Sequence, residues 1–347
     1  MNNLSFTRDL GFYATKKSAK LWNQHSGLVV EWFDDWHPIL NEALQNLPEV
    51  DDYPHELFRL LFLIQDPKRR RIALLTENKV PVAVMGLRQG GSYSWEMITQ
   101  WTLPGFVFPV KEGYLETALI ALGIDLRVAW WRMKSSVPIH PLIRDIKKTP
   151  TYRMKCSEDF EQYWRESNHF KSVRQARNRC SEFTFDVDLP GMAEWVIRNW
   201  IDQWWGNFDP EMQEFKDKLL VANYLMAIKK YHTLVIRDNE TPIAGATLSV
   251  HGNDLVAGVI YRKPEYGRYG VGNRLIDLTF QWAAQTGYET FDIGGGQEYK
   301  RRWAPQEGER LEFNVCPEYL YQVKRFVNWG REIRYRILNR NQKENTI

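Results

Sequence analysis

Apolar residues in the second half of the chain occur first at helical spacing and then in alternation with polar residues. The helical spacing covers residues 192–204 and 211–230, where apolar side chains recur every three or four positions. Three alternating runs follow, with turn-forming residues between them, at residues 232–237, 243–251 and 255–261. A glycine-rich segment then precedes a helical pattern at 271–286, and a last strand pattern covers 289–293. This order predicts helices, an antiparallel meander, a further helix and a further strand.

The first half repeats this order of elements with little residue identity. Two helical patterns come first, then three strand patterns, a helix and a strand, at residues 35–47, 55–64, 71–76, 80–87, 93–101, 112–122 and 125–129. The repeat predicts two copies of one structural plan.

Between the copies, residues 134–150 contain three prolines and scattered charge, which predicts a crossing segment. A strand at 152–156 and helices at 159–167 and 170–181 then lead into the second copy. The chain has 347 residues, well above the ~150 typical of one domain. We therefore predict an α+β protein with two domains, 1–145 and 146–347, each built on a mixed sheet.

Composition narrows the class of protein. The net charge of +3 is too small to indicate a nucleic-acid or membrane partner by itself. Apolar runs end long before the ~18 residues of a membrane span, and residues 1–20 lack the apolar core of a secretory signal. We expect a cytoplasmic protein without membrane insertion. Cys156, Cys180 and Cys316 have no metal-ligand spacing, so we expect buried thiols and no metal.

A glycine-rich loop between a strand and a helix is the strongest local feature. It consists of Gly267, Arg268, Tyr269, Gly270, Val271, Gly272 and Asn273. Glycines allow consecutive N–H groups to point inward, and a helix N-terminus adds positive potential, so a pyrophosphate fits there. The alternative is a simple glycine-rich turn before a helix.

These loop residues resemble the acyl-CoA loop of the GNAT superfamily, written Q/R-x-x-G-x-G/A, although Gly267 holds the leading position and Arg268 comes one place later. Residues 291–303, FDIGGGQEYKRRW, resemble the F-D-x-x-x-G-x-x-x-Y-K-x-x-(F/W) block of CelD-like acetyltransferases and, more distantly, Fem-type aminoacyltransferases. Residues 170–179 are similar to the basic helix that opens the second domain in both groups. The resemblance implies tandem GNAT-like folds, each a mixed, mainly antiparallel sheet flanked by helices.

The resemblance also implies roles in transfer from an acyl-CoA co-substrate. Tyr299 occupies the place of the acid that protonates the departing thiolate, and Asp292 and Glu298 are the candidate bases. A backbone N–H near Val259 or Ile260 is the candidate donor to the oxyanion. Asp292 has a structural alternative, capping the glycine turn after its strand, and Glu298 has the alternative of a solvated helix face.

For the acceptor, we consider basic and aromatic residues near these positions: Lys300, Arg301, Trp303, Trp204 and Trp205. The basic run has a solvated face as its alternative, and the tryptophans have core packing. The first copy has one glycine and a proline at residues 102–106 in place of the loop. We infer that the first domain is a degenerate copy that shapes the acceptor cleft.

These features predict acyl transfer to the amine, or secondarily the hydroxyl, of a sugar, amino acid or envelope-polysaccharide precursor. A Fem-like enzyme using aminoacyl-tRNA is the first alternative, because Lys171, Arg174, Arg177 and Arg179 form a basic helix suited to phosphates. A non-catalytic binding protein on a decayed acyltransferase fold is the second. Residues 291–296 also look like an S-adenosylmethionine loop, but only about fifty residues follow, predicted as charged helix, too few for a doubly wound domain.

Overall fold

The computed structural model describes residues 27–49, 53–90, 94–99, 108–130, 143–156, 159–167, 169–295 and 298–316, and single positions at 321, 322, 326 and 329. In the first half the elements are β1 (Leu28–Phe33), α1 (Pro38–Gln45), α2 (His55–Leu63), β2 (Arg70–Glu77), β3 (Val80–Gln89), β4 (Trp95–Met97), α3 (Leu115–Ala121) and β5 (Leu126–Trp130).

The second half begins with β6 and contains a second meander. Its elements are β6 (Ile143–Lys155), α4 (Phe160–Glu166), α5 (Phe170–Arg179), β7 (Thr184–Val187), α6 (Met192–Trp205), α7 (Gln213–Ala227), β8 (Tyr231–Asp238), β9 (Thr241–His251), β10 (Asp254–Arg262), α8 (Val271–Thr286), β11 (Thr290–Gly295) and β12 (Gln306–Val315). Two 3-10 turns, Pro264–Tyr269 and Glu298–Arg302, precede α8 and β12.

All the described strands join one sheet in the order β1-β2-β3-β4-β5-β12-β6-β11-β10-β9-β8-β7. The neighbours β4 and β5 are parallel, as are β10 and β11, and the other paired strands are antiparallel. The prediction of an α+β fold with a mixed, mainly antiparallel sheet flanked by helices is therefore confirmed.

The two halves of the sheet exchange strands at its centre. Strand β6 pairs with β11 and β12, while β12, from the end of the chain, pairs with β5 of the first half. The predicted domain boundary at residue 145 falls inside β6. The central strands therefore belong to both halves.

Two sequence predictions were wrong in this central region. The described part of the crossing segment, from Ile143 onward, belongs to β6, and Pro138 and Pro141 lie outside the described residues. The segment expected to be charged helix near the chain end contains β12, because Leu311, Phe313 and Val315 alternate and are buried. The alternation covers only residues 311–315, and the polar residues 306–310 that begin the strand do not show it.

Helices cover the two faces of the second-half meander with different partners. On one face, α8 packs with α4 and α5 around Trp164, Phe280 and Phe291. On the other face, α6 and α7 share a core with α1 and α2 of the first half. The two halves of the chain therefore meet on the sheet face away from α8.

Candidate functional site

The glycine loop enters α8 through a left-handed residue. After β10, the 3-10 turn Pro264–Tyr269 leads to Gly270, whose φ is 75°, and α8 begins at the next residue. Only glycine adopts this conformation at little cost. A Cβ added at Gly270 would also lie 3.3 Å from the Cβ of Ala176 in α5. Gly270 is thus required by the backbone and by the close approach of α5.

Helix α5 supports the loop at its base. The Arg179 Nη1 donates to the carbonyl oxygen of Arg268 at 3.0 Å, and the Cys180 Sγ donates to that of Tyr269 at 3.4 Å. Both carbonyls are therefore turned toward α5. The α8 N-terminus, whose backbone N–H groups favour anions, follows directly.

Arg262, at the end of β10, lies across the loop and was missed by the sequence analysis. Its Nη1 is 3.0 Å from the position that a Cβ on Gly267 would take, and its Cδ is 3.2 Å from that on Gly272. Arg268, by contrast, donates to the Tyr269 hydroxyl at 2.9 Å and holds its guanidinium over that ring. A spacing motif counted along the loop could not find Arg262, because the residue belongs to the preceding strand.

Strands β10 and β11 separate beside the loop. They pair in parallel over three residues, ending at Val256 opposite Asp292. Beyond that point β10 has a register irregularity between Ala257 and Ile260, and β11 turns toward β6, with Gly295 opposite Thr151. The separation leaves the irregular stretch of β10 without β11 as a neighbour.

The irregular stretch borders a small crevice. Side chains of α6 and α7 form one wall, and Tyr231, Thr247 and Ser249 form the other, with Gly258 exposed beside them. The predicted oxyanion donor Val259 gives its N–H to the Thr247 Oγ1 at 3.1 Å. Because this N–H already forms a hydrogen bond, that bond must break before the Val259 amide can donate to an oxyanion.

Asp292 and Lys300 hold the turn that follows β11. Asp292, 4% exposed, accepts the Gly294 N–H at 2.8 Å, and its other oxygen lies 3.9 Å from Arg153. The Lys300 Nζ donates to the carbonyls of Ile293 at 2.8 Å and Gly295 at 3.4 Å. Burial lowers the pKa of Lys300 to about 8, although Asp292 opposes the shift. These contacts match the structural alternative for Asp292 and turn Lys300 away from an external anion.

The aromatic and basic candidates for acceptor binding lie in different places. Trp303 is 3% exposed and packs edge-on against Trp164 and His169, so it lies in the core beside the site. Trp204 and Trp205 are exposed at the end of α6. Arg301 is also exposed. Glu298 and Tyr299 belong to the 3-10 turn, and their side chains lie outside the described part of the chain.

The basic helix α5 divides into a buried ion pair and an exposed group. Arg177 forms two hydrogen bonds with the buried Asp277, at 2.9 and 2.7 Å, and a third with Glu161. Arg177 is thus occupied within the protein, whereas Lys171, Arg174 and Arg179 are exposed.

The three cysteines are free thiols, and Cys180 and Cys316 are buried. Within the described ranges there is no His, Cys, Asp and Glu cluster suited to a metal and no helix capable of spanning a bilayer.

Comparison with known proteins gives one family match and several structural ones. The model of the acetyltransferase (GNAT) domain matches residues 167–301. The C-terminal domain (DUF2156) of a protein described as a lysylphosphatidylglycerol synthetase, from Agrobacterium fabrum, has a TM-score of 0.50 at 14% identity, covering 82% of this chain and 95% of that one. No curated protein sequence matches the chain.

Two further solved structures have lower scores. A tandem GNAT protein from the clavulanic acid biosynthesis pathway has a TM-score of 0.47 at 7% identity, over 84% of this chain and 100% of that one. FemX has a TM-score of 0.47 at 11% identity, over 84% and 99%.

Proposed function

We propose that this chain, whose residues 167–301 match the model of the acetyltransferase (GNAT) domain, transfers an acyl group from acyl-CoA to an amine. The acceptor class that we propose is a small molecule or a glycan precursor. The observation that carries the proposal is the placement of the glycine loop and the α8 N-terminus beside the point where β10 and β11 separate. A donor phosphate and a reactive acyl group can then be held by adjacent parts of one site.

The donor phosphates would lie on the loop. Backbone N–H groups from Gly270 to Asn273 and the α8 N-terminus supply positive potential. Arg262 adds a guanidinium in the place where the acyl-CoA motif ordinarily carries its leading Gln or Arg. A guanidinium is well suited to phosphate oxygens because it offers a planar fork of donors. Substitution of the motif's first position by Gly267 is therefore compensated from the strand.

The acyl group would lie between the separating strands, next to the irregular stretch of β10. The amine nitrogen attacks the thioester carbon, a C–N bond forms, the C–S bond breaks, and the thiolate takes up a proton. An N–H of Val259 or Ile260 would stabilise the oxyanion, and Tyr299 would donate the proton. Of the two carboxylate candidates, Asp292 already accepts from Gly294, and Glu298 stays the other candidate base in this proposal.

The acceptor would enter on the sheet face away from α8, where the halves meet. There the crevice opens at Gly258, and the first half packs against α6 and α7. We propose that the first domain, 1–145, is a GNAT-like copy that shapes this cleft and binds no donor. Arg301 and the exposed Trp204 and Trp205 remain candidates for contacts with a larger acceptor.

Aminoacyl-tRNA is the second candidate donor, and one observation favours it. Lys171, Arg174 and Arg179 are exposed on α5, and Arg179 directly contacts the loop backbone. Such a group would attract a phosphate backbone, with affinity that falls steeply as salt increases.

A donor screen followed by one substitution tests the proposal. Thermal stabilisation by acetyl-CoA, longer acyl-CoAs and aminoacyl-tRNA identifies the donor, and thiol release with glucosamine, amino acids and amino-sugar nucleotides identifies the acceptor. Tyr299→Phe should then lower turnover by roughly 10²-fold with unchanged donor affinity, because only the proton is removed. Stabilisation by none of the donors would contradict the proposal. Wild-type turnover in Tyr299→Phe, with chemistry rate-limiting, would assign the acid to another group.

A further inference from the structure

A row of polar side chains lies on the sheet face where the two halves meet. Thr247, Ser249 and His251 alternate along β9, so they share one face of the sheet. Thr247 and Ser249 line the crevice beside the irregular stretch of β10. His251 is 8% exposed and lies one step deeper, at the end of β9. The crevice is thus connected to a buried imidazole.

His251 is held between a residue of each half. Its Nε2 lies 2.7 Å from the Tyr53 hydroxyl and 3.2 Å from the Ser249 Oγ. Tyr53 is fully buried, and its ring meets the imidazole edge-on at a centroid distance of 5.1 Å. Tyr53 comes from the first half of the chain, 198 residues before His251.

An amine acceptor needs a group that takes its proton, since an alkylammonium with a pKa near that of lysine, ~10.4, is protonated at neutral pH. No carboxylate lines the described walls of the crevice. Burial raises the pKa of Tyr231 to about 12, so that phenol keeps its proton. Lys218, also in the wall, has its Nζ 3.4 Å from a carboxylate oxygen of Glu214. A neutral imidazole can accept a proton on Nε2.

We infer that Ser249 and His251 form the path that takes the proton from the acceptor amine, and that Tyr53 positions the imidazole. The inference rests on the proposed acyl transfer. While the His251 Nε2 is unprotonated, the Tyr53 hydroxyl donates to it. The acceptor's ammonium then gives a proton to the Ser249 Oγ as the Ser249 hydroxyl proton passes to the His251 Nε2, and the Tyr53 oxygen accepts from the new N–H. The free amine then attacks the thioester carbon, and the C–N bond forms as the C–S bond breaks. The thiolate takes a proton from Tyr299, and the proton that the nitrogen loses restores the balance. The proton on His251 returns to solvent when product leaves.

This assignment gives the first half a chemical role. Tyr53 orients His251 by a hydrogen bond across the interface, so the proton path is complete only when the halves are packed together. Tyr53 is therefore a positioning residue, since it contacts neither donor nor acceptor.

The test compares two nucleophiles, with acetyl-CoA as donor. One is the fastest amine of the acceptor panel, and the other is hydroxylamine, which is weakly basic and largely unprotonated at pH 7. His251→Gln should lower kcat for the amine by roughly 10²-fold, the usual range for a lost base, with an unchanged KM for acetyl-CoA. Ser249→Ala should also lower kcat for the amine by a similar factor, and Tyr53→Phe should lower it by a smaller factor. Turnover with hydroxylamine should change little in all three, because it needs no base before attack.

A second histidine–tyrosine pair provides matched controls. The His232 Nε2 lies 3.1 Å from the Tyr288 hydroxyl, away from the crevice lining, so His232→Gln and Tyr288→Phe should retain turnover with both nucleophiles. Equal losses with both nucleophiles in Ser249→Ala and His251→Gln would mean a structural role and would overturn the inference. Unchanged amine turnover would do the same. If His251→Gln does not fold, Ser249→Ala decides alone. A wild-type protein that transfers to neither nucleophile would instead contradict the proposed function.

Discussion

Replacement of Arg262 by alanine should weaken the binding of CoA. It should not change the affinity for pantetheine, the part of CoA that carries no phosphate. The Arg262 guanidinium lies over Gly267 and Gly272, where a phosphate on the loop would be within reach. A hydrogen bond to a charged group contributes about 1.5–3 kcal/mol. Arg262 is exposed, so water screens the interaction and the lower end of this range applies. Because 1.4 kcal/mol corresponds to tenfold in affinity, we expect roughly tenfold weaker binding.

Titration calorimetry with CoA and with pantetheine measures this difference directly. Arg262→Ala should raise the Kd for CoA and leave that for pantetheine unchanged, and the difference should shrink as salt is raised. Arg268→Ala is the matched control, because its guanidinium lies on Tyr269 and its loss should have a smaller effect. Equal CoA affinity in wild type and Arg262→Ala would refute the assignment. A larger loss in Arg268→Ala would return the role to the loop arginine.

Three further predictions follow from contacts in the second half and at the interface. Gly272→Val should displace the Arg262 side chain, whose Cδ is 3.2 Å from the new Cβ. It should therefore weaken CoA binding with little change in the free energy of unfolding. Gly270→Val should weaken CoA binding and also lower the free energy of unfolding, because φ is 75° there and Ala176 is close; urea unfolding distinguishes the two variants. Burial lowers the pKa of Lys300 from its ordinary value of 10.5 to about 8, so its stabilising contribution is complete above about 10.5 and is lost as the pH falls through 8. In urea unfolding, the free energy of unfolding of wild type relative to Lys300→Met should therefore be higher at pH 10 than at pH 7. An equal difference at the two pH values would contradict the shifted pKa. Arg88→Met should lower the free energy of unfolding by about 3–5 kcal/mol, because Arg88 lies 2.6 Å from the Asp217 carboxylate, which is 1% exposed. The loss should be greater at pH 8 than at pH 5, since burial raises the pKa of Asp217. Arg127→Met, at a half-exposed arginine, is the control and should lower the free energy of unfolding much less.

Elements with strong local signals could be predicted from the sequence. Helix α8 occupies the predicted residues 271–286, because glycines with positive φ stand at both ends, Gly270 and Gly287. The strands β8, β9 and β10 agree with the predicted runs to within two residues at each end. In each case the alternating pattern and the turn residues lie within one short stretch of chain.

Elements whose stability depends on distant partners were harder to predict. Strand β6 contains consecutive exposed residues between Asp145 and Lys148, so its sequence shows no alternation there. It is held by β11 and β12, which follow more than a hundred residues later. Pairing with strands so far along the chain leaves no mark on the local pattern.

The residues of the candidate site also differ in how far the sequence alone identifies them. The glycine loop was found because its residues are consecutive, whereas Arg262 and the pair of Tyr53 and His251 are brought to the site by strands and by the interface. Trp303 is buried, and sequence spacing alone does not distinguish a buried aromatic residue from an exposed one near a site. Motifs locate main-chain geometry well, and they locate side chains from other elements poorly.

The exchange of central strands gives a reason for the first half to be retained even if, as we propose, it binds no donor. If β12 lost β5 as a neighbour, its edge would be open to water, and the core that α6 and α7 share with α1 and α2 would be exposed. The buried Asp217 would also lose Arg88 and Gln65, both from the first half. A buried carboxylate without partners is strongly destabilising. The first half is thus bound to the second through sheet, core and ion pair, and the interface that holds Tyr53 against His251 is fixed by the same contacts that keep the second half folded.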